Sequence, residues 1–234
     1  MRLRAMVAAG AMALALAGCG RMPGAPRTEY VPPDKVTDFA TLYNTNCRAC
    51  HGPNGQNGPA MDLGNPEYQA LVDDATLRNI IANGMPGTQM PAWAQSAGGM
   101  LTDAQVDALV TGMRKEWAKP NAFQGATPPP FAPAADEKGN VQSGKQLYQA
   151  QCASCHQGQS RQQVTSPVYL ALMSDQALRS IIVAGRPDIG QPDWRHDSGQ
   201  ALTPQNVTDI VAYLGSLRNP DAVSAAPQQN PSRR

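Results

Sequence analysis

CRACH at Cys47–His51 and CASCH at Cys152–His156 are the two stretches on which the reading of this chain turns. The spacing has a chemical meaning. Two thiols three positions apart reach the two vinyl groups on one edge of a haem and form thioethers, and the adjacent His is placed to bind the iron. The competing readings of Cys-x-x-Cys are a redox dithiol and half of a zinc site. Both pairs run directly into a His, and outside the motifs only His196 and no further Cys pair remain to finish zinc sites. The pattern predicts two covalently bound haems c, attached at Cys47, Cys50, Cys152 and Cys155, with His51 and His156 as iron ligands.

The chain repeats itself. Val36–His51 (VTDFATLYNTNCRACH) matches Val141–His156 (VQSGKQLYQAQCASCH) at an offset of 105. Farther on the offset is 101: Asp74–Ile81 matches Asp175–Ile182, Trp93 matches Trp194, and Leu101-Thr102 matches Leu202-Thr203. The second copy therefore lacks four residues in the loop after its motif. Each copy closes with a helical pattern, over 103–117 and 204–218, announced by Thr102 and Thr203 as N-caps. Val106, Leu109, Val110 and Met113 follow helical spacing, as do Val207, Ile210, Val211 and Leu214.

Helix, haem motif, long loop, short helix, ligand loop and terminal helix, in that order, resemble the class I cytochrome c fold. The resemblance covers most of residues 36–118 and 138–218. It implies an all-α protein of two tandem class I cytochrome c domains. It also implies that the first and last helices of each copy cross above the haem, with Phe39, Tyr43, Gly144 and Tyr148 at the crossings. A domain of about 80 residues is marginal on its own apolar core, and a buried porphyrin supplies missing surface. Aromatic content of 5% fits that need. Between the copies, the Pro-rich residues 119–137 read as an extended, semi-rigid linker.

The N-terminus reads as an export signal over 1–18, with Arg2 and Arg4 ahead of an apolar stretch too short to span a bilayer. Its end, Leu16-Ala17-Gly18-Cys19, resembles a bacterial lipobox, which implies cleavage before Cys19 and lipidation there. The alternative is an ordinary signal peptide with an incidental Cys. Residues 19–35 then form a tether, and 219–234 a disordered tail. All five Cys are assigned, so no disulfide is expected. No other apolar run approaches membrane-spanning length. Net charge is +1, falling to about −1 without Arg2 and Arg4, so no basic field points to nucleic acid.

The class I resemblance implies a Met sulfur on the second face of each iron. The first copy offers Met85 and Met90, each followed by Pro, in NGMPGTQMPAW. Met90 is preferred, since its Met-Pro-Ala-Trp setting resembles the family's ligand loop and Met85 aligns with Arg186, which cannot ligate. The bland alternative is that either Met only packs in the pocket. In the second copy, Gln191 stands where Met90 stands, with Pro192 and Trp194 retained, so the loop is expected to keep its shape. Gln191 as a weak ligand, an open site, and His196 swinging in to give a bis-His haem all remain open.

Electron transfer is the leading expectation: a lipid-anchored dihaem cytochrome c working with respiratory partners on the periplasmic face of a bacterial membrane. Candidate partners are a quinol-oxidising complex, a terminal oxidase or a dehydrogenase. The second ligand loop resembles lipoprotein cytochromes that accompany quinol-oxidising complexes such as alternative complex III. The alternative class is an enzyme, a dihaem peroxidase or dehydrogenase subunit using an open second haem. A haem-based sensor is a third class, and no output domain is legible for it.

Overall fold

In the computed structural model, which describes residues 30–156, 164–195 and 200–222, every regular element is helical. The chain divides into two units between Val36 and Thr37. In the first, Pro33–Lys35 form a single 3-10 turn. In the second, one five-helix order occurs twice. The first module runs α1 (Phe39–Asn46), α2 (Arg48–His51), α3 (Pro66–Leu71), α4 (Asp74–Asn83) and α5 (Asp103–Trp117). The second runs α6 (Val141–Gln151), α7 (Ala153–His156), α8 (Pro167–Ala171), α9 (Asp175–Ala184) and α10 (Pro204–Ser216). Cys19, the expected lipidation site, the expected signal over 1–18 and His196 lie outside the described residues; of the tail expected over 219–234, Pro220–Ala222 form a 3-10 turn with Ala222 buried, and the residues beyond 222 are not described.

Local chemistry sets the helix starts. Asp38 accepts the Thr41 amide at 2.8 Å before α1, and Asn140 accepts the Ser143 amide at 2.9 Å before α6. Thr102 and Thr203 build reciprocal capping boxes with Gln105 and Asn206, as their positions predicted. The apolar stripes of α5 and α10 are buried, with Val106, Leu109 and Val207 fully so. An arginine locks each terminal helix to the preceding pair. Arg114 reaches Val72 O at 2.6 Å and Asp74 at 2.7 Å; Arg218 reaches Leu170 O at 3.0 Å and Asp175 at 2.7 Å.

The helix crossings are solved twice with the sizes exchanged. In the first module a Cβ on Gly112 of α5 would stand 2.2 Å from the Phe39 ring of α1. In the second, the position matching Phe39 is Gly144, and the position matching Gly112 is Tyr213. A Cβ on Gly144 would stand 1.9 Å from Asp209 O and 2.9 Å from Tyr213 Cβ. Aromatic rings fill the space beside each glycine: Phe39, Tyr43 and Trp117 in the first, Tyr148 and Tyr213 in the second.

The linker is packed rather than freely spanning. Phe123 belongs to the core of the second module, and Pro129 is fully buried. Its carbonyls are also claimed: Arg179 donates to Pro130 O at 3.0 Å and Gln176 to Phe131 O at 2.8 Å. The prolines and small residues suggested an extended, semi-rigid spacer; two apolar side chains within it, Phe123 and Pro129, bury area that holds it on the second module.

Gly144→Ala is expected to destabilise the protein by about 2 kcal/mol, because the new methyl meets a helix backbone that cannot retreat. Gly112→Ala meets a side-chain ring and should lose less. Thermal unfolding of the two variants checks the order.

Candidate functional site

Each attachment motif begins where a first helix ends. Cys47 closes α1 with its amide on Tyr43 O at 2.9 Å, and Cys152 closes α6 through Tyr148 O at 2.9 Å. The next turn carries the second thiol and the His. Cys50 and Cys155 are exposed, while Cys47 and Cys152 are partly covered. Burial, reinforced by the neighbouring thiol, pushes Cys47 up to about 12 and Cys152 up to about 11. A redox dithiol works through a depressed thiol, so these environments oppose that reading. Among the described residues, no group of three or more His, Cys, Asp and Glu is placed to hold a metal ion.

His51 is oriented for a metal. Its Nδ1 lies 2.8 Å from Met61 O, so the proton sits on Nδ1 and the Nε2 lone pair is left bare. Burial holds its pKa below the usual imidazole value; the Met61 carbonyl opposes this and the Arg186 charge adds to it. The loop from Gly52 to Asn65 is fixed by Tyr43 Oη donating to Gly52 O at 2.8 Å and by Ala60 N donating to Cys50 O at 3.0 Å. His156 ends α7, in the matching place.

The two ligand loops share one backbone design. Each follows a helix that ends in a glycine at positive φ, Gly84 (69°) and Gly185 (74°). A Cβ on Gly84 would stand 2.7 Å from Met90 O, so only glycine lets the loop fold back. Met85 N donates to Met90 O at 3.0 Å, and Arg186 N donates to Gln191 O at 3.0 Å. Trp93 N reaches Ile81 O at 3.2 Å, and Trp194 N reaches Val183 O at 3.3 Å. Gln191 therefore occupies the slot of Met90 in a loop of retained shape. Its Nε2 donates to Ile181 O at 3.2 Å. Met85 and Met90 are both half-buried.

A haem suits what these residues leave unsatisfied. Trp194 Nε1 is buried without an acceptor, a place that the carboxylate of a haem propionate fits. Paired thiols and a His with a bare Nε2 are donors that could hold a haem in the first module.

Sequence reasoning missed the contact between the modules. The guanidinium of Arg186 is buried and donates to Ala60 O at 2.8 Å and Gly58 O at 3.0 Å, both in the loop that holds His51. It also forks onto Asp188 at 2.9 and 2.8 Å, and Asp188 accepts the Asn57 amide at 2.8 Å. Asn65 Nδ2 reaches back to Ala184 O at 2.9 Å. Asp62, 1% exposed, has no donor for either carboxyl oxygen. Burial, and then the Asp188 charge, push it up to about 7. The signal for this contact was the arginine in the slot of Met85.

The family described as "Cytochrome C oxidase, cbb3-type, subunit III" matches residues 34–111 and 139–214, and the chain belongs to it. It is similar to a dihydro-heme d1 dehydrogenase of Pseudomonas aeruginosa, 36% identical over 106 residues, covering 44% of this chain and 17% of that protein. It is similar to the cbb3-type cytochrome c oxidase subunit CcoP of Azospirillum sp. (strain B510), 25% identical over 187 residues, covering 72% of this chain and 51% of the relative. The CcoP subunit of Azospirillum brasilense is 40% identical over 76 residues, covering 30% and 24%. The chain thus spans about half or less of the length of these relatives.

Asp62→Asn should stabilise the protein increasingly as pH rises. Asp62 holds its proton up to about 7 when folded and releases it near 3.9 when unfolded. Stability is therefore full below about 4 and declines towards pH 7. Melting temperatures from pH 4 to 8 check this: the gain over the parent should grow to pH 7 and then level.

Proposed function

We propose that this member of the cbb3-type subunit III family is a lipid-anchored dihaem cytochrome c that carries single electrons between respiratory partners on the extracytoplasmic face of a bacterial membrane. The observation that carries the reading is the duplicated module in which a Cys-x-x-Cys-His turn and a glycine-hinged ligand loop belong to one five-helix frame. A bound haem c would supply a one-electron couple. Cys47, Cys50 and His51 would hold the first, with Met90 on its other face; Cys152, Cys155 and His156 would hold the second, with Gln191 or His196 opposite.

The chain's own residues do the rest. Met61 O orients His51, and the crossing helices keep water from the centre. A soft thioether from Met90 favours ferrous iron, whereas an amide oxygen, a His nitrogen or an open site in the second module favours ferric. Met90 would thereby give the first site the higher potential, and electrons would settle there. Two relatives named as cbb3 oxidase subunits make a terminal oxidase of that type the favoured partner. A quinol-oxidising complex, such as alternative complex III, or a dehydrogenase fits as the electron source. Cys19 would carry the lipid. Among the described residues no helix is long and apolar enough to cross a membrane.

Gln191 favours one second reading, a dihaem enzyme or gas-binding centre with an open second haem. Carbon monoxide separates the two: an unchanged reduced spectrum supports the carrier, and a carbon monoxide adduct supports the open site.

Intact mass after membrane extraction should give a chain starting at lipidated Cys19 with two haem additions. The reduced protein should be reoxidised by membranes containing a cbb3-type oxidase, and cyanide should stop it; no reoxidation refutes the partner. Met90→Ala should abolish the Met–iron charge-transfer band and lower the first midpoint, and Met85→Ala should do neither. Gln191→Met should raise the second midpoint.

A further inference from the structure

We propose that Arg186, a residue of the second module, is a positioning and charge-setting residue for the haem of the first. The inference rests on the dihaem reading above.

The geometry begins with the slot. Arg186 stands where the first module has Met85, at the start of a loop closed by the same backbone hydrogen bond. In the first module that position is a half-buried Met. In the second it leaves its module and is buried against the first, at 6% exposure. Its two terminal nitrogens take Ala60 O and Gly58 O, at 2.8 and 3.0 Å. Asp188, two residues on in the same loop, takes the Asn57 amide at 2.8 Å. Residues 57–60 are thus gripped at three points from the second module.

The other side of that segment belongs to the iron site. Ala60 N donates to Cys50 O at 3.0 Å, and the next residue, Met61, supplies the carbonyl that accepts His51 Nδ1 at 2.8 Å. Moving Ala60 moves Met61, and the imidazole turns with its acceptor. A guanidinium in this position has two consequences. It fixes the direction of the His51 hydrogen bond. It also places a permanent cation behind the proximal ligand, where it disfavours ferric iron, the more positive state. Because the site is buried, solvent screens that charge weakly.

The cation is offset by neighbours. Asp188 is paired with it, 1% exposed at the side chain, and Asp62 faces Asp188 from the first module. Taking away the arginine leaves carboxylate behind His51. Removing the Asp188 charge, with Asp62 neutralised alongside it, leaves the cation alone. The two changes must move the first midpoint in opposite directions. A purely structural contact would move it the same way in both, or not at all.

The test is a redox titration of the intact dihaem chain, following the Met–iron charge-transfer band of the first haem, with haem content measured in each variant. Arg186→Gln should lower that midpoint. Arg186→Lys keeps the charge and loses the fork, so its midpoint should lie between Gln and the parent. The double variant Asp62→Asn/Asp188→Asn should raise it. Equal shifts for Lys and Gln, or no shift in a chain carrying two haems, overturn the proposal. If Arg186→Gln does not load both haems, the double variant decides alone: an unchanged or lower midpoint overturns it. A parent chain without two haems instead overturns the dihaem reading itself.

Discussion

The hydrogen bond between His51 Nδ1 and Met61 O links the attachment motif to the loop that follows it. It sets the tautomer and the plane of the imidazole. It can do so only because the loop from Gly52 to Asn65 returns to the motif, held by Tyr43 on one side and Cys50 on the other. The Tyr43 hydroxyl that pins Gly52 sits on α1, and α1 is placed by its crossing with α5. The ring contacts of Phe39, Tyr43 and Trp117 at that crossing therefore act on the iron site at one remove. The outer surface of the same loop is where the second module docks.

The two crossings show how a duplicated frame tolerates divergence. Phe39 over Gly112 in one module becomes Gly144 under Tyr213 in the other. Large and small have changed helices. The sum of volumes at the contact is nearly kept, which is what a close-packed interior demands. Either solution leaves one helix with a glycine where the partner's atoms already stand. A one-sided change at either position has no room.

Much of this architecture was legible in the chain. The doubled Cys-x-x-Cys-His, the offsets of 105 and 101, and the Thr caps led to two all-helical modules with the observed terminal helices, Asp103–Trp117 and Pro204–Ser216. Retention of Pro192 and Trp194 correctly indicated that the second ligand loop keeps its shape. The docking of the modules was not legible, for a physical reason. Arg186 and Asn65 bind backbone carbonyls of Ala60, Gly58 and Ala184, and Asp188 binds a backbone amide. Such partners have no side-chain identity, so they leave no matching pattern at the other end. The packed linker escaped for a related reason: composition describes the whole segment, whereas Phe123 and Pro129 alone decide where it lies.

The ligand loops separate shape from chemistry. Shape is carried by backbone: the glycine hinge, the amide-to-carbonyl closure and the Trp amide on the preceding helix are present in both. Side chains in the loop are then free to change without disturbing it. In the second module both sulfurs are absent. One slot holds Gln191, whose amide nitrogen donates to Ile181 O. The other holds Arg186, which turns away and serves the neighbouring module. A single loop design thus carries a thioether in one copy, and in the other an amide together with a docking cation. The two centres can differ in chemistry while the frame around them stays the same.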